Sequence, residues 1–170
     1  MGLEAIKGAD QILLFRLKGE TNPATKLAFQ TEHSIEASVD GGDSTATKDG
    51  SLSSPGTPVE EWPFTSIAAR GDETREMLWK AFREQKVVEV WQIDKGAEEQ
   101  EGKYPARYAQ GLIQDLSETA NVEDLMELSG TIKINGVPKE GKATLTEDQK
   151  TVVQYLFVDT TAVAEDEIVE

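Results

Sequence analysis

Apolar and polar positions alternate in several stretches of this chain with a period of two, the spacing of a strand with one buried face. Residues 11–17 depart from it. QILLFRL is nearly continuous in apolar side chains, too short for a stable helix, and reads as a strand buried on both faces. Turn chemistry follows from Gly19 to Pro23. Residues 26–39 read as one strand, with Ile35, Ala37 and Val39 on one side and Ser34, Glu36 and Ser38 on the other. The pattern then lapses. Residues 40–58, DGGDSTATKDGSLSSPGTP, hold one sizeable apolar residue, Leu52, too little to offset the entropy of ordering on its own. A loop of that length is either a solvated excursion or a functional segment that orders against a neighbour.

Residues 59–69 are strand-like again, with Trp62 and Phe64 sharing a face and Pro63 implying an edge or a bulge. Asp72, behind Gly71, suits the N-cap of a helix over 73–85, because its carboxylate accepts from the orphan N–H groups of the first turn. Met77, Leu78, Ala81 and Phe82 make the apolar stripe of that helix. Trp79 lies off the stripe, where it either covers the helix flank or meets a partner. Residues 87–94 and 104–116 are strands flanking an acidic hairpin tip at 95–102. In the second strand Tyr104, Tyr108, Leu112 and Leu116 share parity, and Gly111 marks a bulge or a close backbone approach. After a turn at 121–124, residues 126–135 alternate strictly: Met126, Leu128, Ile132 and Ile134 against Glu127, Ser129, Thr131, Lys133 and Asn135. Asn135-Gly136 signals a turn, and the connection runs on through 138–141. Residues 144–149 hold two capping-box patterns and predict a short helical turn. Residues 152–158 read as a last strand and 160–170 as an acidic tail. Seven or eight strands in succession with one good helix predict a mainly β fold, a mostly antiparallel β-sandwich or partial barrel with one flanking α-helix.

Composition changes this picture by exclusion. The 170 residues include 32 Asp or Glu against 17 Lys or Arg, a formal charge of -15. Affinity for nucleic acid comes largely from Lys and Arg displacing phosphate counterions, so this balance opposes DNA binding while permitting a surface that DNA slides past. There is no cysteine, which removes disulfides and thiolate metal sites. His33 is the only histidine, and beside Glu32 in a strand it reads as structural or exposed. The carboxylates are too numerous for any pair to stand out. The acidic stretch Glu98 to Glu101 lacks the spacing of a calcium loop, and the glycines match neither phosphate-binding loop pattern. No catalytic residue, cofactor or metal is expected. No run approaches the roughly 20 apolar residues of a membrane-spanning helix, and the N-terminus, with Glu4 and Asp10, lacks the apolar run of a signal peptide.

Four stretches, taken in order, are more specific than any one of them. Gln30-Thr31-Glu32-His33-Ser34 leads into Ser44-Thr45-Ala46-Thr47-Lys48-Asp49-Gly50. Ala69-Arg70-Gly71-Asp72 precedes the helix and is followed by Val90-Trp91-Gln92-Ile93-Asp94. Lys103-Tyr104 leads to Gly111-Leu112-Ile113, and residues 127–136 close the series. In this order and spacing, from the first strand to the last, the chain resembles the major tail tube proteins of siphophages, the phages with long, non-contractile tails.

The resemblance implies a β-sandwich or partial barrel with one flanking helix, no enzymatic activity and no cofactor. It implies subunits that form hexameric rings, with strands joined around a channel and rings stacked into a tube that conducts double-stranded DNA during ejection without binding it specifically. It also implies the tape-measure and tail-terminator proteins as partners, and a place in the virion tail after assembly in the host cytoplasm, with no membrane involved. On this reading residues 1–160 are a tail tube domain and 161–170 an acidic tail. Residues 40–58 are an assembly loop, with Ser44, Thr45, Thr47, Lys48, Asp49 and Leu52 as contact residues. A wall of the same sign as DNA suppresses phosphate contacts, which makes Glu36, Asp115, Glu123, Asp124 and Glu127 candidates for acids facing the lumen. Two alternatives share the strand count. One is a monomeric β-barrel that binds a small ligand, which needs an apolar interior cavity. The other is the tube protein of a related secretion apparatus.

Overall fold

A computed structural model of the chain describes residues 2–150. Its strands are β1 (Gln11–Leu17), β2 (Thr25–Lys26), β3 (Gln30–His33), β4 (Glu36–Asp40), β5 (Ser44–Thr47), β6 (Gly50–Ser53), β7 (Thr57–Ile67), β8 (Val88–Asp94), β9 (Lys103–Thr119), β10 (Glu127–Ile134) and β11 (Lys139–Thr144). Helix α1 (Glu73–Glu84) lies between β7 and β8, and the short α2 (Glu147–Lys150) follows β11. One sheet runs β2-β1-β8-β9-β10-β7-β3, with β11 also beside β9 and β4 also beside β7, while β5 and β6 pair only with each other. The pairings are antiparallel. The mainly β architecture with one main helix matches the expectation from the residue pattern, with more and shorter strands.

Residues 26–39 are not one strand. β2 and β3 lie at opposite ends of the sheet, yet only residues 27–29 separate them. This short stitch joins the two edges and curls the sheet into a partial barrel. Leu27 is buried within it, and Phe29 takes a positive φ of 48° to turn the chain. The Gln30 side chain completes the seam, donating from Nε2 to the Leu13 carbonyl (2.7 Å) and accepting the Leu13 N–H at Oε1 (3.0 Å). A second break, at Ser34 and Ile35, separates β3 from β4 opposite Pro63. Proline has no N–H to give a ladder. The Ser34 N–H still reaches the Pro63 carbonyl (3.0 Å), and the ladder resumes at Glu36. Pro63 therefore marks an interruption between strands, while β7 itself is internal to the sheet.

The curled sheet encloses Leu13, Phe15 and Leu17 of β1, Trp62 and Phe64 of β7, Val88 and Val90 of β8, Ile113 of β9, and Leu128 and Ile132 of β10, closed by Leu78 and Ala81 of α1. Side chains of this size contribute roughly 1.5–3 kcal/mol each when buried. On the other face of the same strands Ile12, Leu14, Ile93 and Tyr104 pack with Leu145. β1 is thus buried on both faces, as its apolar run predicts.

The expected common face of Tyr104, Tyr108, Leu112 and Leu116 does not form. The β9–β10 register steps from Asp115↔Thr131 to Ile113↔Ile132, so Gln114 is an extra residue that inverts parity. Tyr104 joins the outer cluster, whereas Leu116 packs against the core. The bulge is at Gln114. Gly111 is instead the close approach, where an added methyl would run into the Lys133 carbonyl. Residues 138–141 are not a plain connection, since β11 begins at Lys139 and pairs with β9. The capping box predicted after it is present: Thr146 Oγ1 accepts the Gln149 N–H (3.3 Å), and Gln149 Oε1 accepts the Thr146 N–H (3.0 Å). The strand expected at 152–158 and the tail at 160–170 lie outside the described residues.

Candidate functional site

One face of the sheet is polar across four strands. Trp62, Phe64 and Ser66 of β7 point to the core, which turns Glu61, Thr65 and Ile67 to the opposite face. Residues paired across an antiparallel ladder share a face. The partners on β10 are Lys133 opposite Glu61, Ser129 opposite Thr65 and Glu127 opposite Ile67. Beyond them on β9 lie Ser117 opposite Ser129 and Asp115 opposite Thr131. Ser117 and Ser129 share a hydrogen bond of 2.9 Å, which fixes their common direction. On the other flank Glu36 of β4 is paired with Glu61.

The fold therefore gathers Glu36, Asp115 and Glu127 on one face. It adds Glu61, whose polar parity was the signal and was overshadowed by its apolar neighbours Trp62 and Phe64. Like charges directly opposite, as at Glu36 and Glu61, destabilise a sheet by about 0.2–1 kcal/mol. Glu123 and Asp124 sit elsewhere, exposed in the turn between β9 and β10, where the Asn121 side chain accepts the Glu123 N–H (3.1 Å).

The segment 40–58 is not a structureless loop. Its two ends complete a ribbon, from Glu36↔Glu61 to Asp40↔Thr57. A glycine joint follows. Gly41 and Gly42 take positive φ of 77° and 85°, and Gly56 is packed so closely on Val39 and the Asp40 carbonyl that no side chain fits. Beyond the joint β5 and β6 form a hairpin from Ser44↔Ser53 to Thr47↔Gly50, with Lys48 and Asp49 at its tip and Leu52 opposite Thr45. Ser44 and Ser51 hydroxyls bond across it, Thr47 Oγ1 donates to the Gly50 carbonyl (2.6 Å), and the Ser54 N–H donates to the Asp43 carbonyl (2.8 Å). Every residue of β5 and β6 is exposed. Backbone pairing and hydroxyl hydrogen bonds, with no buried apolar side chain, define this hairpin, which is why the search for buried apolar positions missed it. An isolated two-stranded hairpin is marginal in water.

Helix α1 is held to the sheet by charge. Asp72 Oδ1 accepts the N–H groups of Thr74 (3.0 Å) and Arg75 (3.4 Å), as an N-cap should. Its Oδ2 also accepts the Ala28 N–H (3.0 Å), tying the helix start to the stitch. Arg75 grips Glu118 of β9 through Nε (2.6 Å) and an Nη (2.8 Å), and Trp79 Nε1 donates to the same carboxylate (2.7 Å). The hydrogen bond from Arg75 is the first reason that the Glu118 carboxyl is held below its ordinary pKa. Trp79, with Arg83 stacked over its ring, covers the helix flank. His33 is half-buried, and its Nε2 accepts from Gln92 (3.0 Å), which suits a neutral ring; burial lowers its pKa. Among the described residues no group of His, Asp and Glu is arranged to hold a metal ion, and no helix is long and apolar enough to cross a membrane.

The comparisons with known proteins converge on one family. A curated protein of Staphylococcus phage phiMR25, described as a tail protein, is 29% identical over 89% of this chain and 81% of its own length. The tail tube protein gp17.1* of Bacillus phage SPP1 is 27% identical over 84% of this chain, which spans about half (54%) of that longer protein. In three dimensions the chain is similar to a subunit of the SPP1 tail tube, with a TM-score of 0.78 at 21% identity, covering 94% of this chain and 96% of that one. It also shares its fold with a chain from the tail of an empty gene transfer agent particle, refined with C6 symmetry, at a TM-score of 0.63 and 13% identity, covering 79% and 98%. The family model described as phage tail tube protein matches residues 5–140, most of the chain, and the chain therefore belongs to the phage tail tube protein family.

Proposed function

We propose that this protein is the repeating subunit of a siphophage tail, assembling into hexameric rings that stack into the tube through which DNA leaves the virion. Membership of the tail tube family carries the reading, and with it a structural role in the virion tail in place of catalysis. The sixfold symmetry comes from the gene transfer agent tail, whose subunit has the same fold. The four-strand polar face supports a water-filled lumen, because strands with one polar face can line a channel only if that face stays wet. On this reading Glu36, Glu61, Asp115 and Glu127 outnumber Lys133 on that face and give the wall a net charge of the same sign as DNA, which keeps phosphates from adhering during transit. Glu123 and Asp124 lie at the rim of that wall.

The hairpin of β5 and β6 is the assembly arm. It has no partner within the described subunit beyond its own two strands, and Ser44, Thr45, Thr47, Lys48, Asp49 and Leu52 are the residues it offers a neighbouring subunit. The tape-measure and tail-terminator proteins are the partners expected inside and at the end of such a tube. Negative-stain microscopy of the concentrated protein tests the reading: sixfold rings or tubes support it, and a persistent monomer overturns it. Deleting residues 44–53 should preserve the circular dichroism spectrum and abolish tube growth. A deletion variant that polymerises normally removes the arm from the assembly. Changing Glu36, Asp115 and Glu127 to Lys should slow DNA ejection from reconstituted virions, and unchanged ejection removes the acidic wall.

A further inference from the structure

The chain has three asparagines, Asn22, Asn121 and Asn135, and the residue after each decides what its side chain can undergo. A side-chain amide carbon can be attacked by the backbone nitrogen of the next residue when that nitrogen has a proton to lose and a clear approach. Asn22 precedes Pro23, which has no N–H. Asn121 precedes Val122, whose branched side chain crowds the approach, and its amide oxygen already accepts the Glu123 N–H (3.1 Å). Asn135 precedes Gly136. β10 ends at Ile134 opposite Gly111 and β11 starts at Lys139 opposite Tyr108, so residues 135–138 bulge out across only Ala109 and Gln110 of β9. The Asn135 N–H is anchored on the Gln110 carbonyl (2.7 Å). Beyond that bond the chain leaves the ladder. Asn135 and Gly136 are exposed, Gly136 takes a φ of 70°, and nothing lies within 4 Å of where its Cβ would sit. Among the described residues no hydrogen bond holds the Asn135 side chain or the Gly136 N–H.

We infer that Asn135 is a site of spontaneous modification, where the protein deamidates itself with water as the only co-reactant. The Gly136 nitrogen loses its proton and bonds to Cγ of Asn135. The bond from Cγ to Nδ2 breaks, and the side-chain nitrogen leaves as ammonia, taking up that proton as its third hydrogen. The product is a five-membered cyclic imide. Water then opens it at one of its two carbonyls. Cleavage of the new bond leaves an aspartate at position 135, and cleavage of the original peptide bond leaves an isoaspartate, with the main chain running through Cγ. Nothing is oxidised or reduced. Either product replaces a neutral amide by a carboxylate, which changes local electrostatics as other charge-altering modifications do. Position 135 shares the alternation of Glu127 and Lys133 along the same stretch, so the polar side of β10 gains one negative charge as the protein ages. The isoaspartate also lengthens the main chain by one atom. That atom enters after the anchored N–H of residue 135, so the β9–β10 ladder is untouched and the link to β11 absorbs the change. The chemistry depends on the turn alone and is independent of the tube reading.

The full-length folded protein, held at neutral and at mildly alkaline pH and then digested for peptide mass spectrometry, tests this. The peptide containing Asn135 should gain the mass of an NH group exchanged for oxygen and should split into two chromatographic forms, the aspartate and the isoaspartate. The peptides containing Asn22 and Asn121 should stay unchanged over the same period and serve as internal controls. Conversion should quicken as pH rises, because the attacking nitrogen must lose a proton. On isoelectric focusing the aged protein should move by one charge toward acid, to the position of Asn135→Asp. Gly136→Ala should slow the conversion several-fold, and Asn135→Gln, whose longer side chain disfavours the ring, should lose it. Folded protein whose residue 135 stays unconverted overturns the inference. So does conversion of Asn121 at the same rate, which would show that the turn does not select the site. An acidic shift that persists in Asn135→Gln overturns it as well, even if Gly136→Ala does not fold.

Discussion

Replacing Glu118 should loosen helix α1 from the sheet by a predictable amount. Three donors converge on its carboxylate at 2.6–2.8 Å, two from Arg75 and one from Trp79. Hydrogen bonds to a charged group contribute about 1.5–3 kcal/mol each when shielded, and an exposed ion pair contributes roughly 0–1 kcal/mol. Arg75 and Glu118 side chains are 25% and 21% accessible, between those limits, and both Arg75 and Trp79 can regain water once freed. Glu118→Ala should therefore cost about 1.5–3 kcal/mol in all, which for a chain of this length lowers Tm by roughly 3–12 °C. Glu118→Gln, which keeps acceptors but loses the charge, should fall between.

The pH dependence is the sharper check. Because Arg75 holds the Glu118 carboxyl below its ordinary pKa of 4.5, its stabilisation is fully present above that value and is lost as pH falls through the folded value. Urea unfolding of the free subunit should show a large difference between wild type and Glu118→Ala at neutral pH and a shrinking one under acid. An unchanged midpoint at neutral pH, or a difference that survives acidification undiminished, would refute the argument.

Four further outcomes follow from single features. Gly111→Ala should destabilise the subunit by about 1–3 kcal/mol in urea, the usual range for overpacking, because the new methyl meets the Lys133 carbonyl. Ser66→Ala should leave Tm unchanged or raise it, since the Ser66 hydroxyl is fully buried without a hydrogen-bond partner. Burial lowers the pKa of His33 below 6.5, so the unfolded chain takes up its proton first and stability should decline as pH falls below 6.5. His33→Gln should flatten that limb of the melting profile. Tube growth followed by light scattering should accelerate as ionic strength rises from about 0.01 M to about 0.1 M, where the screening length falls from ~30 Å to ~10 Å, because the subunits carry a formal charge of -15.

How much of this was legible depends on what each residue's position is decided by. Burial decided the core, and the strict alternation of Leu128, Ile132 and Ile134 reproduces it directly. Local chemistry decided the helix, so Asp72 could be named as its cap, although its second bond to Ala28 needed the stitch to be in place. Three features were hidden for physical reasons. The β5–β6 hairpin rests on backbone pairing and hydroxyl hydrogen bonds with no apolar face. The Gln114 bulge inverts parity without any glycine or proline to announce it. The first break in 26–39 arises because consecutive residues serve opposite edges of a sheet, and no local pattern encodes which edge a strand will join; the second falls opposite Pro63, a residue distant in sequence. The same limit applied to the acids: Glu36, Asp115 and Glu127 could be proposed, but Glu61 joins them only once β7 is placed between β4 and β10.

That topology also separates folding from assembly. The β2–β3 stitch curls the sheet, and the core lies on its inner face, with α1 packed against it. That inner face is buried within one subunit. The outer, polar face is left unfinished. Among the described residues no strand pairs with β4 on the side away from β7 or with residues 112–119 on the side away from β10, the β5–β6 hairpin stands clear of the core, and Glu36 lies directly opposite Glu61, whose other cross-strand neighbour is Lys133. A chain selected only to fold would gain by neutralising that pair and shortening that hairpin, since each changes stability by a fraction of a kcal/mol to about 1 kcal/mol. Their joint presence sets the polar face apart from the inner face of the same strands, where Trp62, Phe64, Leu128 and Ile132 pack. It follows that Glu36→Gln, which removes the repulsion and leaves Glu61 beside Lys133, should make the free subunit slightly more stable, the opposite of what loss of a structural residue produces, and a destabilised variant would show that this face is built for the subunit's own fold.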